Sequence, residues 1–341
     1  MKTIPVHDAV GTVLCHDITE IIPGKFKGRA FKKGHVIREE DIPRLLDIGK
    51  EHLYVWELDE NTLHENEAAQ RIAKAAAGPG IVLSDPVEGK VELRAERAGL
   101  LKINTAALAS INDVDEVVLA SIHSNQLVVA GRVVAGCRVV PLVIDTAKVM
   151  RAETLGMENA PVFEVKPLPA MKVGIVTTGS EVYHGRIQDK FGPVLRDKLA
   201  ALGSEVLRQI FVNDNADMIA TAIQSLVQEG AGMIAVTGGM SVDPDDLTPS
   251  GIRAAGGRVV VYGAPVLPGS MFMLAYLGKV PVVGLPGCVM YHRTTIFDLI
   301  VPRLLAGEEI NRADVSALAH GGLCSVCSEC RYPDCAFGKG N

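Results

Sequence analysis

Short apolar runs alternate with helix-patterned segments between residues 171 and 305 of this chain. The runs have the length and composition of buried strands, and the segments between them carry apolar residues at helical spacing, such as Leu195 and Leu199. The pattern predicts strands at 172–176, 205–211, 232–236, 258–262 and 280–284, and helices at 192–202, 216–228, 248–255 and 289–305. Regular strand–helix alternation is typical of an α/β fold, a three-layer α/β/α domain with a mostly parallel sheet.

Before residue 171 the pattern is mixed and predicts a smaller N-terminal α+β region. The predicted helices are 39–48, 61–77, 104–111 and 146–155, the predicted strands 53–56, 90–95, 116–121, 127–130 and 138–144, and the predicted turns 99–102 and 131–136. Gly78-Pro79-Gly80 and the proline-rich segment 166–170 interrupt the pattern. We predict a β-rich α+β domain at 1–78, an α+β domain at 79–168, the α/β domain at 169–308 and a cysteine-rich tail at 309–341.

Composition narrows the classes of partner. The net charge is −6 and aromatic residues make up 4% of the chain, so a basic or base-stacking surface for nucleic acid is not expected. No apolar run reaches the ~20 residues of a membrane span, and the first residues lack the apolar centre of a signal peptide. We expect a cytoplasmic protein whose partners are neither nucleic acid nor membrane.

Two glycine loops follow strands of the predicted sheet. Thr178-Gly179-Ser180-Glu181 comes after the strand at 172–176, and Gly238-Gly239-Met240-Ser241 comes after the strand at 232–236. Glycines at the carboxyl ends of parallel strands let backbone N–H groups face a phosphate. The two loops therefore predict one crevice that binds a phosphate-bearing small molecule.

Carboxylates follow the second loop at Asp243, Asp245 and Asp246. One of them is explained by capping of the helix that begins near Thr248-Pro249. Three carboxylates this close repel one another, and such clusters commonly hold a divalent cation. We predict that the crevice handles its phosphate together with Mg²⁺.

Two Pro-Gly turns extend the predicted rim, at Pro268-Gly269-Ser270 and at Pro286-Gly287-Cys288. A Pro-Gly pair is by itself an ordinary type II turn. Both pairs nevertheless lie at strand ends, and the second precedes a predicted helix whose first N–H groups are free to meet an anion.

Residues 171–305 resemble the molybdopterin-binding domain shared by the molybdenum insertases (MoeA-like), the molybdopterin adenylyltransferases (MoaB/Mog-like) and the CinA-like proteins. The resemblance rests on the order and spacing of the two glycine loops, the two Pro-Gly turns, Gly185-Arg186-Ile187-Gln188-Asp189 and Val212-Asn213-Asp214. It implies a Mg²⁺-dependent transferase of molybdenum cofactor biosynthesis that acts at molybdate insertion or pterin adenylylation. It also implies molybdopterin, with ATP or molybdate, as small-molecule partners, a homodimer and a molybdoenzyme client.

The same resemblance assigns roles to residues of this chain. It places the pterin and its phosphate on Thr178, Gly179, Ser180, Asp189, Gly238, Gly239, Met240, Ser241, Pro268, Gly269, Ser270, Pro286 and Gly287. It makes Glu181, Asp214, Asp245 and Asp246 catalytic, and it gives Asp243 and Asp246 to the metal.

The chain departs from the insertase pattern in ways that keep other functions open. Ser270 and Met271 replace the Lys-Pro of the insertase Pro-Gly-Lys-Pro turn, and Cys288 and Val289 replace Asn-Pro in Leu-Pro-Gly-Asn-Pro. Residues 10–58 instead resemble a small β-clip (SAF-like) domain. The alternatives are a non-catalytic carrier or sensor of the cofactor and a CinA-like nucleotide pyrophosphatase.

Four cysteines crowd into the tail as Cys324, Cys327, Cys330 and Cys335. Their C-x2-C-x2-C-x4-C spacing approaches the bacterial ferredoxin run, and tetrathiolate zinc is also chemically allowed. We predict an Fe–S cluster or Zn²⁺ on these cysteines, the alternative being a disordered, redox-sensitive tail. We expect the tail and the glycine loops to fold as separate units.

Overall fold

The computed structural model describes residues 2–55 and 61–340, and the chain forms two compact units. The first consists of residues 1–97, 102–122 and 130–165, and the second of residues 98–101, 123–129 and 166–341.

Up to residue 166 the described chain is built from short strands and a few helices. The strands are β1 (Lys2–Pro5), β2 (Ile18–Ile22), β3 (Phe26–Phe31), β4 (His52–Val55), β5 (Thr62–His64), β6 (Ile81–Leu83), β7 (Lys90–Ala95), β8 (Gly99–Ile103), β9 (Val117–Ser121), β10 (Leu127–Val128), β11 (Val133–Val139), β12 (Val143–Asp145) and β13 (Phe163–Lys166). The helices are α1 (Ile42–Asp47), α2 (Glu65–Ala76), α3 (Thr105–Asn112) and α4 (Thr146–Glu158), with 3-10 turns at Val6–Asp8 and Glu39–Asp41.

The first unit contains a small N-terminal core and a four-stranded antiparallel sheet. Buried apolar residues between Val6 and Leu53 form the N-terminal core. The sheet has the order β6-β7-β11-β9, and α2 packs on it and against α4. The two helices approach closely because position 156 is a glycine: a Cβ there would lie 3.1 Å from the backbone of Ala75.

Two sequence predictions before residue 166 are wrong in type. The segment 131–136, expected to be a turn, forms most of β11, and 99–102 lies in β8. The helix expected from residue 61 begins only at Glu65, because residues 62–64 form β5 and pair with β12. His64 then caps α2: its Nδ1 accepts the Asn66 N–H. The strand predicted at 53–56 is found as β4, except that Trp56 lies outside the described residues.

The second unit follows the predicted α/β rhythm. Its strands after residue 166 are β14 (Lys172–Thr178), β15 (Glu205–Val212), β16 (Met233–Thr237), β17 (Arg258–Tyr262), β18 (Met273–Leu277) and β19 (Val280–Leu285). Its helices are α5 (Ser180–Tyr183), α6 (Phe191–Ala201), α7 (Ala216–Gln228), α8 (Thr248–Ala254), α9 (Cys288–Tyr291), α10 (Ile296–Leu305) and α11 (Arg312–Ser316), with a 3-10 turn at Ala317–Ala319.

These elements form three layers around a six-stranded sheet of order β15-β14-β16-β19-β18-β17. The first four strands are parallel, and β18 runs antiparallel to both of its neighbours. Successive side chains of a strand point to opposite faces. Val173 and Ile175 therefore enter a core with α6 and α10, whereas Val176 enters a second core with α7 and α8. The mostly parallel three-layer fold is confirmed.

This unit differs from the predicted pattern in two places, and local chemistry explains the first. The helix expected at 289–305 is broken, because Thr295 and Asp298 form a capping box that starts α10 anew: the Asp298 carboxylate accepts the Thr295 N–H at 2.8 Å. Strand β18 was not predicted, and it forms a hairpin with β19.

The cysteine tail packs on the second unit instead of folding apart from it. Val315 and Phe337 belong to the same buried core as α6 and α10. Leu267 N donates to Gly322 O, and Cys324 N donates to Leu267 O, both at 2.8 Å. The expectation of separate folding was wrong because apolar residues scattered through the tail complete the core of the α/β domain.

Candidate functional site

The strand ends of the second unit bring the sequence motifs to one edge of the sheet. Thr177 pairs with Thr237, Thr237 pairs with Leu285, and Thr178 pairs with Val212, all between parallel strands. The residues that follow these strands, namely both glycine loops, Asp214 and the Pro286-Gly287 turn, therefore leave the sheet side by side. Pro268-Gly269 precedes the antiparallel β18 and so lies at the same edge.

Gly238 lets the second glycine loop touch the first. Its φ is +83°, and a Cβ at this position would lie 2.3 Å from the backbone oxygen of Thr178. Gly239 also has a positive φ, of +55°. A side chain at Gly238 would separate the loops, so here the glycine provides close approach as well as backbone freedom.

Buried hydroxyl groups hold the loops together beneath the crevice. Thr248, fully buried at the start of α8, donates its hydroxyl to Gly238 O at 2.8 Å and lies 3.3 Å from the Thr178 hydroxyl. Gln209 on β15 donates to the Thr177 hydroxyl at 2.8 Å and to the Asp189 carboxylate at 2.6 Å. Sequence reasoning missed both Thr248 and Gln209, since neither belongs to a glycine motif.

Thr248→Val is expected to lower the free energy of unfolding by about 1–2 kcal/mol, because it keeps the side-chain shape but leaves the Gly238 carbonyl without this bond. The matched control is Thr221→Val on the exposed face of α7, whose hydroxyl bonds the Asp217 carbonyl at 2.8 Å. The control should change stability by less than about 0.5 kcal/mol. Urea denaturation of both variants provides the measurement, and equal losses would contradict a specific role for Thr248.

The charges of three predicted carboxylates act on a fourth, Asp214, at this edge. Burial raises the pKa of Asp214, the bond from Ser180 N opposes that shift, and the charges of Glu181, Asp245 and Asp246 raise the pKa further. The Asp214 carboxylate accepts the Ser180 N–H at 2.8 Å. Asp214 thus lies within electrostatic reach of the other three residues predicted to be catalytic, and its carboxylate occupies the Ser180 N–H that was predicted to meet the phosphate.

The aspartate-rich turn is organised by its own bonds. Asp246 accepts the Asp243 N–H at 2.9 Å, and the Asp246 N–H donates to Asp243 O at 3.0 Å. Across residues 2–55 and 61–340, no three His, Cys, Asp or Glu side chains converge closely enough to enclose a metal ion. Mg²⁺ typically takes one or two protein carboxylates and fills its remaining positions with water and substrate phosphate, so the oxygen donors present fit that ion.

Two residues assigned to the cofactor have other contacts, and a third lies exposed. The Asp189 carboxylate caps α6 by accepting the Phe191 and Gly192 N–H groups at 2.9 and 3.1 Å. The Met240 side chain is buried in the core beside Gly284. Ser241 is exposed. Only backbone atoms of Met240 are therefore placed to meet a ligand.

The two Pro-Gly turns differ in exposure. Gly269 is buried with φ +133°, and a Cβ there would lie 2.6 Å from Ile296 at the start of α10. Gly287 is exposed, whereas Pro286 before it is buried. The first turn is therefore fixed against α10, and the second presents its glycine to the solvent.

The four tail cysteines line one cavity of about 260 Å³ in the second unit. Residues 291–294, directly after α9, form another wall of this cavity. The Thr294 hydroxyl lies 3.5 Å from Cys330 Sγ, and this bond lowers the pKa of the Cys330 thiol. Cys288 is half-buried, and burial raises the pKa of its thiol.

Comparison with protein families assigns two segments. Residues 174–306 match a family model described as "Probable molybdopterin binding domain". Residues 3–57 match a "Domain of unknown function (DUF8806)". Most of the α/β domain of the second unit is therefore similar to the molybdopterin-binding domain that this family model describes.

Similar curated proteins are the CinA-like proteins of mycobacteria. The CinA-like protein of Mycobacterium sp. (strain MCS) is 36% identical over 90 residues, which are 26% of this chain and 21% of that protein. The CinA-like protein of Mycobacterium avium (strain 104) is 35% identical over 95 residues, which are 28% of this chain and 22% of that protein. The chain thus spans about a fifth of the length of the curated relatives it matches.

Similar solved structures include MoaB of Thermus thermophilus, with 22% identity and a TM-score of 0.33 over 40% of this chain and 98% of that one. A second is the tungsten cofactor synthesizing protein MoaB of Pyrococcus furiosus, with 20% identity and a TM-score of 0.33 over 41% of this chain and 97% of that one. In the part of the chain that the structure describes, no helix is long and apolar enough to cross a bilayer.

Proposed function

We propose that the protein binds molybdopterin at this edge of its sheet and acts in molybdenum cofactor biosynthesis, at pterin adenylylation or molybdate insertion. The match of residues 174–306 to the molybdopterin-binding family model supports the proposal. The observation that carries this proposal is that the strand ends bring the two glycine loops into contact and set Asp214 within electrostatic reach of Glu181, Asp245 and Asp246. Glycine loops bring backbone donors to a phosphate, and carboxylates bring a metal to it.

The residues at this edge have three different roles. Gly238 and Gly239 let the second loop pack directly on Thr178 and Thr248, since neither has a side chain in the way. Thr248 and Gln209 hold the loops in place from below. Glu181, Asp214, Asp245 and Asp246 create a strongly negative edge.

That negative edge repels the pterin phosphate, so we propose that Mg²⁺ is held there by Asp246 and Asp243, with Glu181 and Asp214 beside it. Bound Mg²⁺ would neutralise charge on the phosphate. The carboxylates would hold the ion at this edge, beside the glycine loops. Asp214 is fixed for this task by its bond from Ser180.

Removal of Mg²⁺ with EDTA is expected to weaken molybdopterin binding by at least about tenfold, because the phosphate then meets uncompensated carboxylates. Anaerobic fluorescence titration with and without EDTA measures the effect. Restoration by Mg²⁺ but not by an equal ionic strength of NaCl is the control. Equal affinity in all three conditions would contradict a metal at this edge.

A turnover assay separates the proposed enzyme from the other functions. An adenylyltransferase forms adenylylated pterin from ATP, and an insertase releases AMP from that compound when molybdate is present. A carrier or sensor that serves a molybdoenzyme client binds the pterin and does neither. Hydrolysis of ADP-ribose without pterin affinity would assign a CinA-like pyrophosphatase instead.

The oligomeric state belongs to the same proposal. We propose a homodimer by analogy with the domain type, and sedimentation equilibrium tests it. Monomeric protein that turns over molybdopterin would remove the dimer from the proposal and leave the site assignment in place.

A further inference from the structure

The cavity lined by the tail cysteines is separate from the residues assigned to the pterin. Cys324, Cys327, Cys330 and Cys335 all contribute to its wall, and residues 291–294 line it as well. Its volume of about 260 Å³ is several times the ~30 Å³ share of one water molecule in the liquid. Four thiols around a space of this size have the layout of a binding site.

The backbone holds these thiols in fixed positions. Residues 322–324 pair with Leu267 through two 2.8 Å hydrogen bonds, which place Cys324. Tyr332 packs edge-on against the buried Phe337, and its hydroxyl donates to Asp298 O at 3.4 Å, which fixes the chain between Cys330 and Cys335. The cysteines therefore lie on a docked segment and not on a loose tail.

Thiolates favour zinc, copper(I) and iron–sulfur clusters. A single zinc ion draws four sulfurs to about 2.3 Å from one point. Here the cysteines are spread around a cavity, and no three side chains of the described Cys, His, Asp and Glu residues converge on one ion. A group with several metal atoms fits a set of thiols that surrounds a space.

We propose that Cys324, Cys327, Cys330 and Cys335 bind a [4Fe–4S] cluster in this cavity, one cysteine on each iron. Each thiol gives up its proton and becomes a thiolate ligand, and the sulfide and iron come from the cell's supply of both. The apolar groups of Tyr332 and Phe337 form the inner wall, while the exposed Cys327 lies at the opening.

The cavity also connects to both Pro-Gly turns. Leu267, which bonds the tail, directly precedes Pro268-Gly269, and Gly269 lies against Ile296 at the start of α10. The second turn, Pro286-Gly287, leads through α9 to the wall at 291–294. Resting on the proposed function, we infer that the cluster stabilises the positions of these turns through the tail and so raises the affinity for the pterin.

The cluster is tested by chemical analysis of anaerobically purified protein. Wild type should contain about four iron atoms and four sulfides per chain and should show the visible absorption of thiolate-to-iron charge transfer. Cys327→Ala, at the exposed cysteine, should lose most of the iron, and so should the double variant Cys327→Ala, Cys330→Ala. Ser328→Ala, on the same cavity wall but without a thiol, should keep it.

Three results would overturn the cluster: about one zinc and no iron in wild type, neither metal, or full iron content in the double cysteine variant. The link to the pterin is tested by titrating loaded protein and the folded Cys327→Ala variant with molybdopterin. We expect about tenfold weaker binding without the cluster, and equal affinities would overturn the link. Retained iron with no pterin binding in any form would instead reject the proposed function and leave the cluster standing.

Discussion

Replacing Gly238 by alanine is expected to lower the free energy of unfolding by about 3 kcal/mol and to abolish molybdopterin binding. The added Cβ would lie 2.3 Å from the Thr178 backbone oxygen, so the two glycine loops must separate. Overpacking of this kind costs about 1–3 kcal/mol, and the positive φ of 83° adds about 1 kcal/mol for a residue with a side chain.

Gly230→Ala provides the matched control for this variant. Gly230 follows α7, has a φ of +93° and has no atoms near the position of an added Cβ. Its free energy of unfolding should therefore fall only by the cost of a positive φ in alanine, about 1 kcal/mol, and its pterin affinity should be unchanged. Chemical denaturation and pterin titration of both variants provide the comparison. Equal stability losses would show that the close approach of the loops contributes nothing.

Replacing Asp214 by asparagine is expected to reduce Mg²⁺-dependent turnover or pterin binding by about 100-fold while leaving the fold intact. Asparagine keeps a side-chain oxygen, so it can still accept the Ser180 N–H that Asp214 accepts at 2.8 Å. It removes one charge from the edge shared with Glu181, Asp245 and Asp246. The loss should therefore be electrostatic and confined to the metal and its phosphate.

The same substitution, which we expect to impair function, should increase the stability of the fold. The pKa of Asp214 is raised in the folded protein, so its ionised form is disfavoured there. Stability from this group is fully present below the unfolded pKa and declines as pH rises through the folded pKa. Asp214→Asn should thus be slightly more stable than wild type at neutral pH, by about 0.5 kcal/mol at most given the partial solvation of the group.

The control is Asp217→Asn, an exposed carboxylate in the first turn of α7. It removes the same charge from a side chain that does not contribute to the Asp214 pKa shift, and it should change neither turnover nor pterin binding. A loss of function equal to that of Asp214→Asn would mean that net charge, and not position, explains the effect. Unchanged function in Asp214→Asn would remove this residue from the site.

The local pattern was sufficient to predict α7, because an amphipathic repeat follows a good N-cap: Asn215 accepts the Met218 N–H at 2.9 Å. It was also sufficient to place the glycine loops at strand ends, since each loop follows a short apolar run. The local pattern could not predict that Gly238 packs against Thr178, because that contact joins residues about sixty positions apart.

The packing of the cysteine tail on the α/β core could not be predicted from the local sequence pattern. Phe337 and Tyr332 stand among glycines and cysteines with no strand or helix period, so nothing nearby indicates that they complete a core. The bridge between Leu267 and Leu323 pairs two short segments that lie far apart in the sequence. Likewise, Gln209 belongs to a strand, and its bonds to Thr177 and Asp189 follow from the order of β15 beside β14.

The measurement that tests the central claim most directly is anaerobic titration of the full chain with molybdopterin in the presence of Mg²⁺, followed by competition with inorganic phosphate. The account predicts saturable binding of one pterin per chain, weakened by Gly238→Ala and Asp214→Asn but not by Gly230→Ala or Asp217→Asn. Folded wild-type protein that shows no saturable binding, or binding that all four variants retain, would contradict a pterin site at this edge of the sheet.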